Sequence, residues 1–378
     1  MKNYCPDLFN TVFVQKNSED KVLLGHCCVS KFGGLRDTVD INDSFLVDNR
    51  RYYLETGELP EACEYCTKIE TEGFYSRRQM HARRNVEQNS FPVQVQLEKL
   101  EYNCDNICNL KCIMCSSYYS SSWIDDEIAL GFPVLQKIKH TKHNNLLYNV
   151  DVSKVTAVYF NGGEPLMTRD HINVLNYIIE TGNPKKVWLS YSSNGTFPIT
   201  EELLSIWKQF GGVEMLFSID ATGDAYNYIR YPGNWNEVES NLLGFIQARN
   251  QLLNYNLGFL ITVGIHNVFY LNNTIKWATD HGFKFITQDT NGRSALSLAN
   301  FPTQHVDRLH EHVGQLPDEL TRQNILSQSS LSKDDTRWVQ YLNNLDRIRG
   351  NSWRQSLSLL YNLNPEYFDS ITGDYCGH

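Results

Sequence analysis

Three closely spaced cysteines, Cys108, Cys112 and Cys115, are the residues of this 378-residue chain with the clearest potential for chemistry. Their C-x3-C-x2-C spacing places three thiolates on a short loop, where they can bind three corners of a cluster of four irons and four sulfides. An ordinary electron-transfer cluster has a fourth protein ligand, so three ligands leave one iron free for a substrate or cofactor. Two other interpretations stay open: a four-thiolate zinc site that includes Cys104, and buried cysteines without a metal.

A second group of cysteines lies in the first 66 residues. They are Cys5, Cys27, Cys28, Cys63 and Cys66. Separated cysteines of this kind, ending in a C-x2-C pair, can hold either an iron–sulfur cluster or a tetrahedral zinc ion. Because adjacent cysteines seldom both bind at one site, we expect one of Cys27 and Cys28 to be spare. The pattern assigns no role to Cys104 or Cys376.

The composition is that of a globular protein, with 41% hydrophobic and 20% charged residues and a formal net charge of -9. This negative charge argues against a nucleic acid partner, which would need a broad basic surface. Without a run of about 18 apolar residues, no membrane-spanning helix and no membrane association are expected. The first residues also lack the apolar segment of a signal peptide. We therefore expect a cytoplasmic protein, in which ten cysteines form no disulfide framework.

The middle of the chain alternates short apolar runs with amphipathic segments such as Asp170–Thr181. Strands that alternate with helices predict an α/β fold with a parallel sheet and right-handed crossovers. Six units predict a partial (β/α)6 barrel, because a closed barrel needs eight. Functional groups should then lie at the carboxyl ends of the strands. The candidate strands are Val93–Tyr102, Val155–Phe160, Val187–Ser192, Glu214–Ile219, Leu257–Gly264 and Lys284–Gln288.

Differences in composition and in hydrophobic pattern divide the chain into three predicted domains. Residues 1–89 form a small cysteine-rich N-terminal domain, residues 90–300 form the partial barrel, and residues 301–378 form a helical C-terminal extension. The first domain ends in a basic stretch, which we interpret as a solvated linker, with docking of an acidic peptide or phosphate as the alternative. The arginines of this stretch are Arg77, Arg78, Arg83 and Arg84.

A glycine-rich segment with a carboxylate, Gly162-Gly163-Glu164 followed by proline, comes directly after the second candidate strand. Glycines allow a backbone to approach a ligand closely. The Glu164 carboxylate suits an ammonium partner. A tight turn between a strand and a helix is the alternative interpretation of this segment.

Further candidate residues follow the third, fourth and fifth strands. They are Asn194, Ser218, Asp220, Arg230 and Val263. Asn194 lies in a polar Ser-Ser-Asn-Gly-Thr segment that can either hydrogen-bond a ligand or form an ordinary Asn-Gly turn. Alternation along a strand places Ser218 and Asp220 on one face. Arg230 is either a ligand-binding group or a surface arginine.

In this order, the motifs resemble the radical S-adenosylmethionine (radical SAM) superfamily over about residues 93–290. The triplet matches the family signature, including the bulky Met114 before its last cysteine. The resemblance implies that the GGEP segment binds the methionine amino group of SAM, and that Arg230 pairs with the methionine carboxylate. It further implies that Ser218 and Asp220 contact the ribose hydroxyls and that the backbone at Val263 borders the adenine.

The N-terminal cysteines are similar to the auxiliary-cluster domain called SPASM, or to its shorter form, twitch. In the family this domain usually follows the barrel, whereas here it precedes it. The resemblance implies a second 4Fe–4S cluster, bound by Cys5, Cys63, Cys66 and one of Cys27 and Cys28.

The resemblance implies an enzyme that cleaves SAM reductively to a 5′-deoxyadenosyl radical, which abstracts hydrogen from a substrate C–H bond. The cofactors expected are a SAM-binding 4Fe–4S cluster, the auxiliary 4Fe–4S cluster and SAM. The substrate expected is a ribosomally made peptide that is cross-linked, epimerised or oxidised, and the electron donor is a protein such as a flavodoxin or ferredoxin. Two alternatives stay open: dehydrogenation of a small molecule, and a non-catalytic zinc or iron–sulfur binding protein. No side chain is assigned a catalytic role.

Overall fold

The computed structural model describes residues 3–16, 21–71, 75–103, 105–135, 147, 150–290, 294–330 and 335–373. Cys104 and Cys376 lie outside this part of the chain, so the structure places neither of them. In the described residues the strands are β1 (Thr11–Lys16), β2 (Val22–Gly25), β3 (Leu35–Arg36), β4 (Lys99–Asn103), β5 (Ala157–Asn161), β6 (Trp188–Ser193), β7 (Gly212–Ser218), β8 (Tyr255–Val263) and β9 (Lys284–Asp289).

Helices follow most of the strands and make up the C-terminal part of the chain. They are α1 (Asp7–Asn10), α2 (Ser44–Thr56), α3 (Glu64–Thr71), α4 (Arg77–Glu87), α5 (Ile124–Ala129), α6 (Asp170–Thr181), α7 (Glu201–Trp207), α8 (Gly223–Ile229), α9 (Trp235–Gln247), α10 (Leu271–Asp280), α11 (Val306–Val313), α12 (Glu319–Ser329), α13 (Arg337–Arg349), α14 (Trp353–Ser356), α15 (Ser358–Tyr361) and α16 (Pro365–Ser370). No helix in the described ranges is long and apolar enough to cross a membrane.

The strands form one sheet in the order β3-β2-β1-β4-β5-β6-β7-β8-β9. Every pair from β1–β4 to β8–β9 is parallel, and only the pairs that involve β2 are antiparallel. The predicted α/β fold with a mostly parallel sheet is therefore confirmed. Since the strands β4 to β9 are parallel, their carboxyl ends meet at one edge of the sheet.

The predicted start of the first strand is wrong: β4 begins at Lys99 and not at Val93. The preceding residues run along the end of α1, where the Gln96 amide donates to the Phe9 carbonyl and the Glu98 amide donates to the Asn10 carbonyl. The other five predicted strands correspond to β5 to β9, with ends that differ by at most two residues. Helix α6 has the predicted bounds.

Alternation along the strands gives the sheet two different faces. On β5, Val158 and Phe160 are buried in the main hydrophobic core beside α6 residues such as Leu175. Tyr159 points to the opposite face, where its hydroxyl lies 2.5 Å from the Ser192 hydroxyl. We call this second side the polar face. Its in-register row across β4 to β7 consists of Glu101, Tyr159, Ser190 and Glu214.

The N-terminal region continues the sheet, because β1 pairs with both β2 and β4. The predicted domain boundaries at residues 89 and 300 stay predictions. The interpretation of the basic stretch as a solvated linker is wrong for Arg77 and Arg78. Both lie in α4, which a capping box at Ser76 begins, and Arg78 is buried. Arg83 does face solvent, where it pairs with Glu87.

Candidate cofactor site and cysteine cavity

The cysteine triplet lies on the loop that follows β4, at the carboxyl edge of the sheet. Cys108 and Cys112 are buried, Cys115 is half-buried, and all three are free thiols. Together with Leu110 and Met114 they form a small apolar cluster of their own. The structure therefore brings the three predicted ligands together on one loop.

Side chains from elsewhere in the chain hold the carbonyl groups of this loop. The Ser122 hydroxyl donates to the Cys108 carbonyl over 2.6 Å, and the Trp123 indole donates to the Cys112 carbonyl over 2.9 Å. The Tyr341 hydroxyl donates to the carbonyl of the next residue over 2.6 Å. Buried carbonyls need such partners, and satisfying them in this way fixes the path of the loop.

Two backbone amides of the loop pair with the last residue of α8 and with the segment that follows it. Lys111 donates to the Tyr231 carbonyl over 2.5 Å, and Ile113 donates to the Ile229 carbonyl over 2.9 Å. Arg230 lies between these two acceptors. The pairing brings Arg230, which is distant in sequence, to the cysteine loop.

The sulfur atoms of Cys108 and Cys112 accept hydrogen bonds from residues other than cysteine. The Asn194 amide group lies 3.7 Å from the Cys108 sulfur, which also accepts from the Leu110 backbone amide over 3.5 Å. Arg230 Nη1 lies 3.7 Å from the Cys112 sulfur. Burial raises the pKa of the Cys108 thiol to about 12, so a metal would have to displace its proton. Donors of this kind suit thiolates that bind iron.

The two glycines after β5 pack against the chain itself. A Cβ at Gly162, which has a φ of +114°, would lie 2.1 Å from Asn103 Oδ1, and one at Gly163 would lie 2.1 Å from the Ile107 carbonyl. The Gly163 amide donates to the Asp105 carbonyl over 2.7 Å. We expected these glycines to let the backbone approach a ligand. In the structure they let this loop approach the start of the cysteine loop.

Glu164 is fully enclosed behind the glycines. Its carboxylate accepts from the Asn194 backbone amide over 2.6 Å, from the Ser193 hydroxyl over 2.9 Å and from the Leu166 amide over 3.1 Å. Burial raises the pKa of this carboxyl to about 7, and these hydrogen bonds oppose the rise. An ammonium group next to Glu164 would therefore find a carboxylate whose negative charge has no ion-pair partner in the described chain.

Asp220 and Arg230 form a buried ion pair, with Arg230 Nη2 2.7 Å from Asp220 Oδ2. The Thr262 amide donates to the other carboxylate oxygen of Asp220 over 2.7 Å. Burial raises the pKa of Asp220 and Arg230 opposes this rise. Burial alone would lower the pKa of the Arg230 guanidinium, but Asp220 and Cys112 raise it above its ordinary value. The pair links the ends of β7 and β8 to the cysteine loop.

Ser218 and Val263 are the last residues of β7 and β8, so both lie at the same sheet edge as the triplet. Ser218 is half-buried on the polar face, and Val263 is buried. All candidate residues after β4 to β8 therefore share one edge, as the sequence predicted.

Polar groups without a partner surround Arg230. The Tyr226 hydroxyl, both ring nitrogens of His266 and Arg230 Nε are buried and have no hydrogen-bond partner within the described ranges. Burial, and then the charge of Arg230, lowers the pKa of His266 to about 3, so its ring is neutral. Buried polar atoms are normally satisfied, so this cluster suits a polar ligand such as SAM. Sequence reasoning missed both residues, although His266 follows β8 closely enough for the carboxyl-edge rule to find it.

Four N-terminal thiols line a single cavity. They come from four separate places: Cys5 precedes α1, Cys27 follows β2, Cys63 precedes α3 and Cys66 lies in its first turn. A backbone hydrogen bond from Lys31 to the Ala62 carbonyl ties the Cys27 loop to the turn that carries Cys63. The structure thus brings together the four cysteines of the predicted auxiliary site.

Cys28 is not among the residues that line this cavity. Its backbone amide donates to the Glu101 carboxylate over 3.0 Å, and its thiol is half-buried. Between the two adjacent cysteines, the geometry favours Cys27 as the member of the four-thiol set.

Charged residues from α1 and α4 also line the cavity. Arg77, Arg78 and Asp7 are among them. Burial alone would raise the pKa of the Asp7 carboxyl, but a hydrogen bond from His81, at 2.7 Å, and the nearby Arg77 lower it below its ordinary value. The two arginines bring positive charge to a group of thiols, an arrangement that suits thiolate ligands. The sequence showed these arginines but gave no sign that they face the cysteines.

Both sites have donors suited to metal, but the described residues contain no group of three or more His, Cys, Asp or Glu side chains placed around one single ion. Zinc and iron–sulfur clusters both accept thiolate ligands. The donor sets therefore fit either kind of centre by their chemistry, and metal analysis distinguishes them.

Comparison with known proteins gives remote structural similarities. No family model and no curated protein matches the chain. Native anSMEcpe with bound AdoMet has a TM-score of 0.40 and 17% identity over 67% of this chain and 62% of that one. Streptococcus suis SuiB bound to its precursor peptide SuiA has a TM-score of 0.39 and 14% identity over 85% of this chain and 70% of that one.

The chain thus spans about 62% of the length of anSMEcpe. AdoMet is S-adenosylmethionine, the cofactor that the motif resemblance implies. At this identity and TM-score, however, the similarity assigns neither a fold nor an activity by itself.

Proposed function

We propose that this chain is a radical SAM enzyme. The observation that carries the proposal is the convergence of the cysteine triplet, Glu164, Asn194, Asp220 and Arg230 at one edge of the sheet. These residues follow successive parallel strands, in the order that the family resemblance implies. We also infer that β4 to β9 curve into a partial (β/α)6 barrel, because helices cover one face while the other face is polar.

In this proposal each part of the site has a separate task. The triplet binds three irons of a 4Fe–4S cluster, Glu164 accepts the ammonium of SAM, and the polar groups at Tyr226 and His266 face the remainder of the cofactor. When bound, cluster and SAM supply a 5′-deoxyadenosyl radical that abstracts hydrogen from a substrate C–H bond. The chain orients both partners and excludes water from them.

The ion pair with Asp220 has two consequences for the guanidinium of Arg230. It fixes the guanidinium beside the Cys112 sulfur, at 3.7 Å, and it leaves Nε without a protein partner. A carboxylate would satisfy that buried donor. We therefore assign Arg230 to the methionine carboxylate of SAM.

We further propose that Cys5, Cys27, Cys63 and Cys66 bind an auxiliary 4Fe–4S cluster. Four thiols around one cavity would give each iron a protein ligand, an arrangement that suits electron transfer and leaves no iron open to substrate. Arg77 and Arg78 offset part of its negative charge. A flavodoxin or ferredoxin is the proposed electron donor.

The proposed substrate is a ribosomally made peptide, and SuiB was solved bound to a precursor peptide. The resemblance of the N-terminal cysteines to an auxiliary-cluster domain supports this class, and dehydrogenation of a small molecule is the alternative. Co-expression with a short peptide encoded beside this gene tests it. A cross-link or oxidation appears as loss of hydrogen mass, and an epimerisation appears as deuterium uptake from heavy water.

The central experiment measures SAM cleavage by protein reconstituted with iron and sulfide without oxygen. We expect a brown protein that releases 5′-deoxyadenosine when SAM and dithionite are added. Cys112→Ala should abolish the release, whereas Cys376→Ala, outside the proposed ligand set, should not. Zinc without iron in the purified protein, or release that survives Cys112→Ala, would overturn the proposal.

A further inference from the structure

A buried arginine from the C-terminal part of the chain lies beside the cysteine loop. Arg349 is the last residue of α13, and its side chain is only 2% exposed. Its Nε donates to the Asp126 carboxylate over 2.8 Å. Asp126 also pairs with Lys111 Nζ over 2.8 Å, and Lys111 directly precedes Cys112. Arg349 lies beyond residues 93–290, so the family motifs assign it no role.

Two aromatic rings enclose the guanidinium of Arg349. Its central carbon lies 4.7 Å from the centre of the Trp123 ring and 5.1 Å from that of Tyr231. The Trp123 indole also holds the Cys112 carbonyl, and the Tyr231 carbonyl accepts from the Lys111 amide. Each partner of Arg349 is therefore itself bonded to the loop at or beside Cys112. Such stacking needs a planar cation and is favourable away from water.

Arg349 shares its carboxylate partner with a second cation. Asp126 is shared by Lys111 and Arg349, so one carboxylate faces two cations. The terminal amino groups of Arg349, Nη1 and Nη2, are buried and have no hydrogen-bond partner in the part of the chain that the structure describes. The charge of Arg349 interacts with Asp346 as well as with Asp126, in surroundings where charges interact strongly.

We propose that Arg349 is a positioning residue that orients the Cys112 segment and, through its charge, favours reduction of the cluster bound by the triplet. The inference rests on the proposed function. An added electron is stabilised by a nearby cation, and the potential of an iron–sulfur cluster depends on charge and hydrogen bonding around its sulfurs.

The experiment is a redox titration of the reconstituted protein, followed by electron paramagnetic resonance. Arg349→Gln removes the charge and should shift the midpoint potential of the triplet cluster to a more negative value. Arg349→Lys keeps the charge without the planar group and should restore most of the potential. Arg347→Gln, on the exposed side of the same helix, is the matched control and should leave the potential unchanged.

Each outcome separates this inference from the function on which it rests. If the wild-type protein shows no cluster signal, the proposed function fails and this inference fails with it. If the signal is present and Arg349→Gln keeps the wild-type potential, only this inference is overturned. Loss of the cluster from both Arg349 variants would mean that the arginine is purely structural, which also overturns the role of its charge.

Discussion

The two cysteine groups differ in how the chain supplies their sulfurs. Cys108, Cys112 and Cys115 come from one loop, and the side chains that donate to their sulfurs belong to Asn194 and Arg230. The four N-terminal thiols instead come from separate segments that fold around one cavity. A short loop can offer three ligands on one side and leave the other side open, whereas a set from several segments encloses its centre. The comparison suggests one open site and one closed site.

The charges around the two groups differ as well. At the triplet, the Asp220–Arg230 pair is buried on both sides, with 0% and 8% of the side chains exposed. At the N-terminal cavity, Arg78 pairs with Glu70, whose side chain is 20% exposed. A buried pair cannot exchange its partner for water. The ion pair at the open site is therefore less accessible to water than the one at the N-terminal cavity.

The largest expected difference between the sites concerns SAM cleavage. The double variant Cys108→Ala/Cys112→Ala should release no 5′-deoxyadenosine, because the proposed SAM-binding cluster is lost. The double variant Cys63→Ala/Cys66→Ala should still release it, because only the closed site is affected. Each variant should contain about half of the iron of the wild type, about four per chain against about eight. Chromatography of the released nucleoside and iron analysis measure both effects.

Equal loss of SAM cleavage in both double variants would contradict the distinction between an open and a closed site. Thermal unfolding of each variant serves as the control. If a variant keeps a near-native melting temperature, its loss of SAM cleavage is due to the missing ligands and not to unfolding.

A smaller difference is expected in stability. Asp220→Asn leaves Arg230 buried without its partner and should lower the free energy of unfolding by about 3–5 kcal/mol. Glu70→Gln should cost less, because water can reach the partner arginine through the more exposed site. Urea denaturation measures both changes. Glu202→Gln, which breaks the exposed Arg169–Glu202 pair, is the control and should change stability little. A loss for Glu70→Gln as large as for Asp220→Asn would contradict the ranking.

The smallest expected effect is a pH dependence of opposite sign at the two sites. Burial raises the pKa of Glu164 from 4.5 to about 7, so its contribution to stability is present below pH 4.5 and is lost as the pH rises through about 7. The pKa of Asp7 lies below its ordinary value of 3.8, so its contribution is present above that pH and is lost as the pH falls.

Urea denaturation of wild type, Glu164→Gln and Asp7→Asn over acidic to neutral pH measures these contributions. The stability difference between wild type and Glu164→Gln should move against the variant at low pH and in its favour towards neutral pH. The difference between wild type and Asp7→Asn should shrink only at the acidic end. Parallel curves for the two variants would contradict the assignment of opposite shifts.

Much of the fold followed from patterns within single segments. Alternating burial in β5 and β6 and the bounds of α6 depend on local spacing of apolar residues, which the sequence displays directly. The Thr200 hydroxyl caps α7 by accepting from the Leu203 amide over 3.2 Å, as a threonine directly before a helix with acidic first residues indicates. The predicted start of β4 was wrong because apolar and polar residues alternate over residues 93–98 as in a strand, whereas this segment hydrogen-bonds to the end of α1.

Contacts between distant segments were beyond sequence reasoning. The basic stretch showed its charge, yet only the packing of α4 against the cavity placed Arg77 and Arg78 beside the thiols. The glycines after β5 were expected to face a ligand, and instead they accommodate the backbone of the cysteine loop. In both cases the sequence indicated what kind of contact the residue could make, but it did not indicate which residue it would contact.

The order of the motifs and the alternation of strands and helices were determined by the sequence alone, because hydrophobic period and residue spacing are local properties of a chain. The separation of Cys27 from Cys28, the position of Arg230 at the Cys112 sulfur and the approach of Arg349 from the last part of the chain were decided by the tertiary structure. The two arginine contacts join residues 118 and 226 positions apart, and the two cysteines are neighbours that point in different directions. Only packing of the whole chain sets such distances.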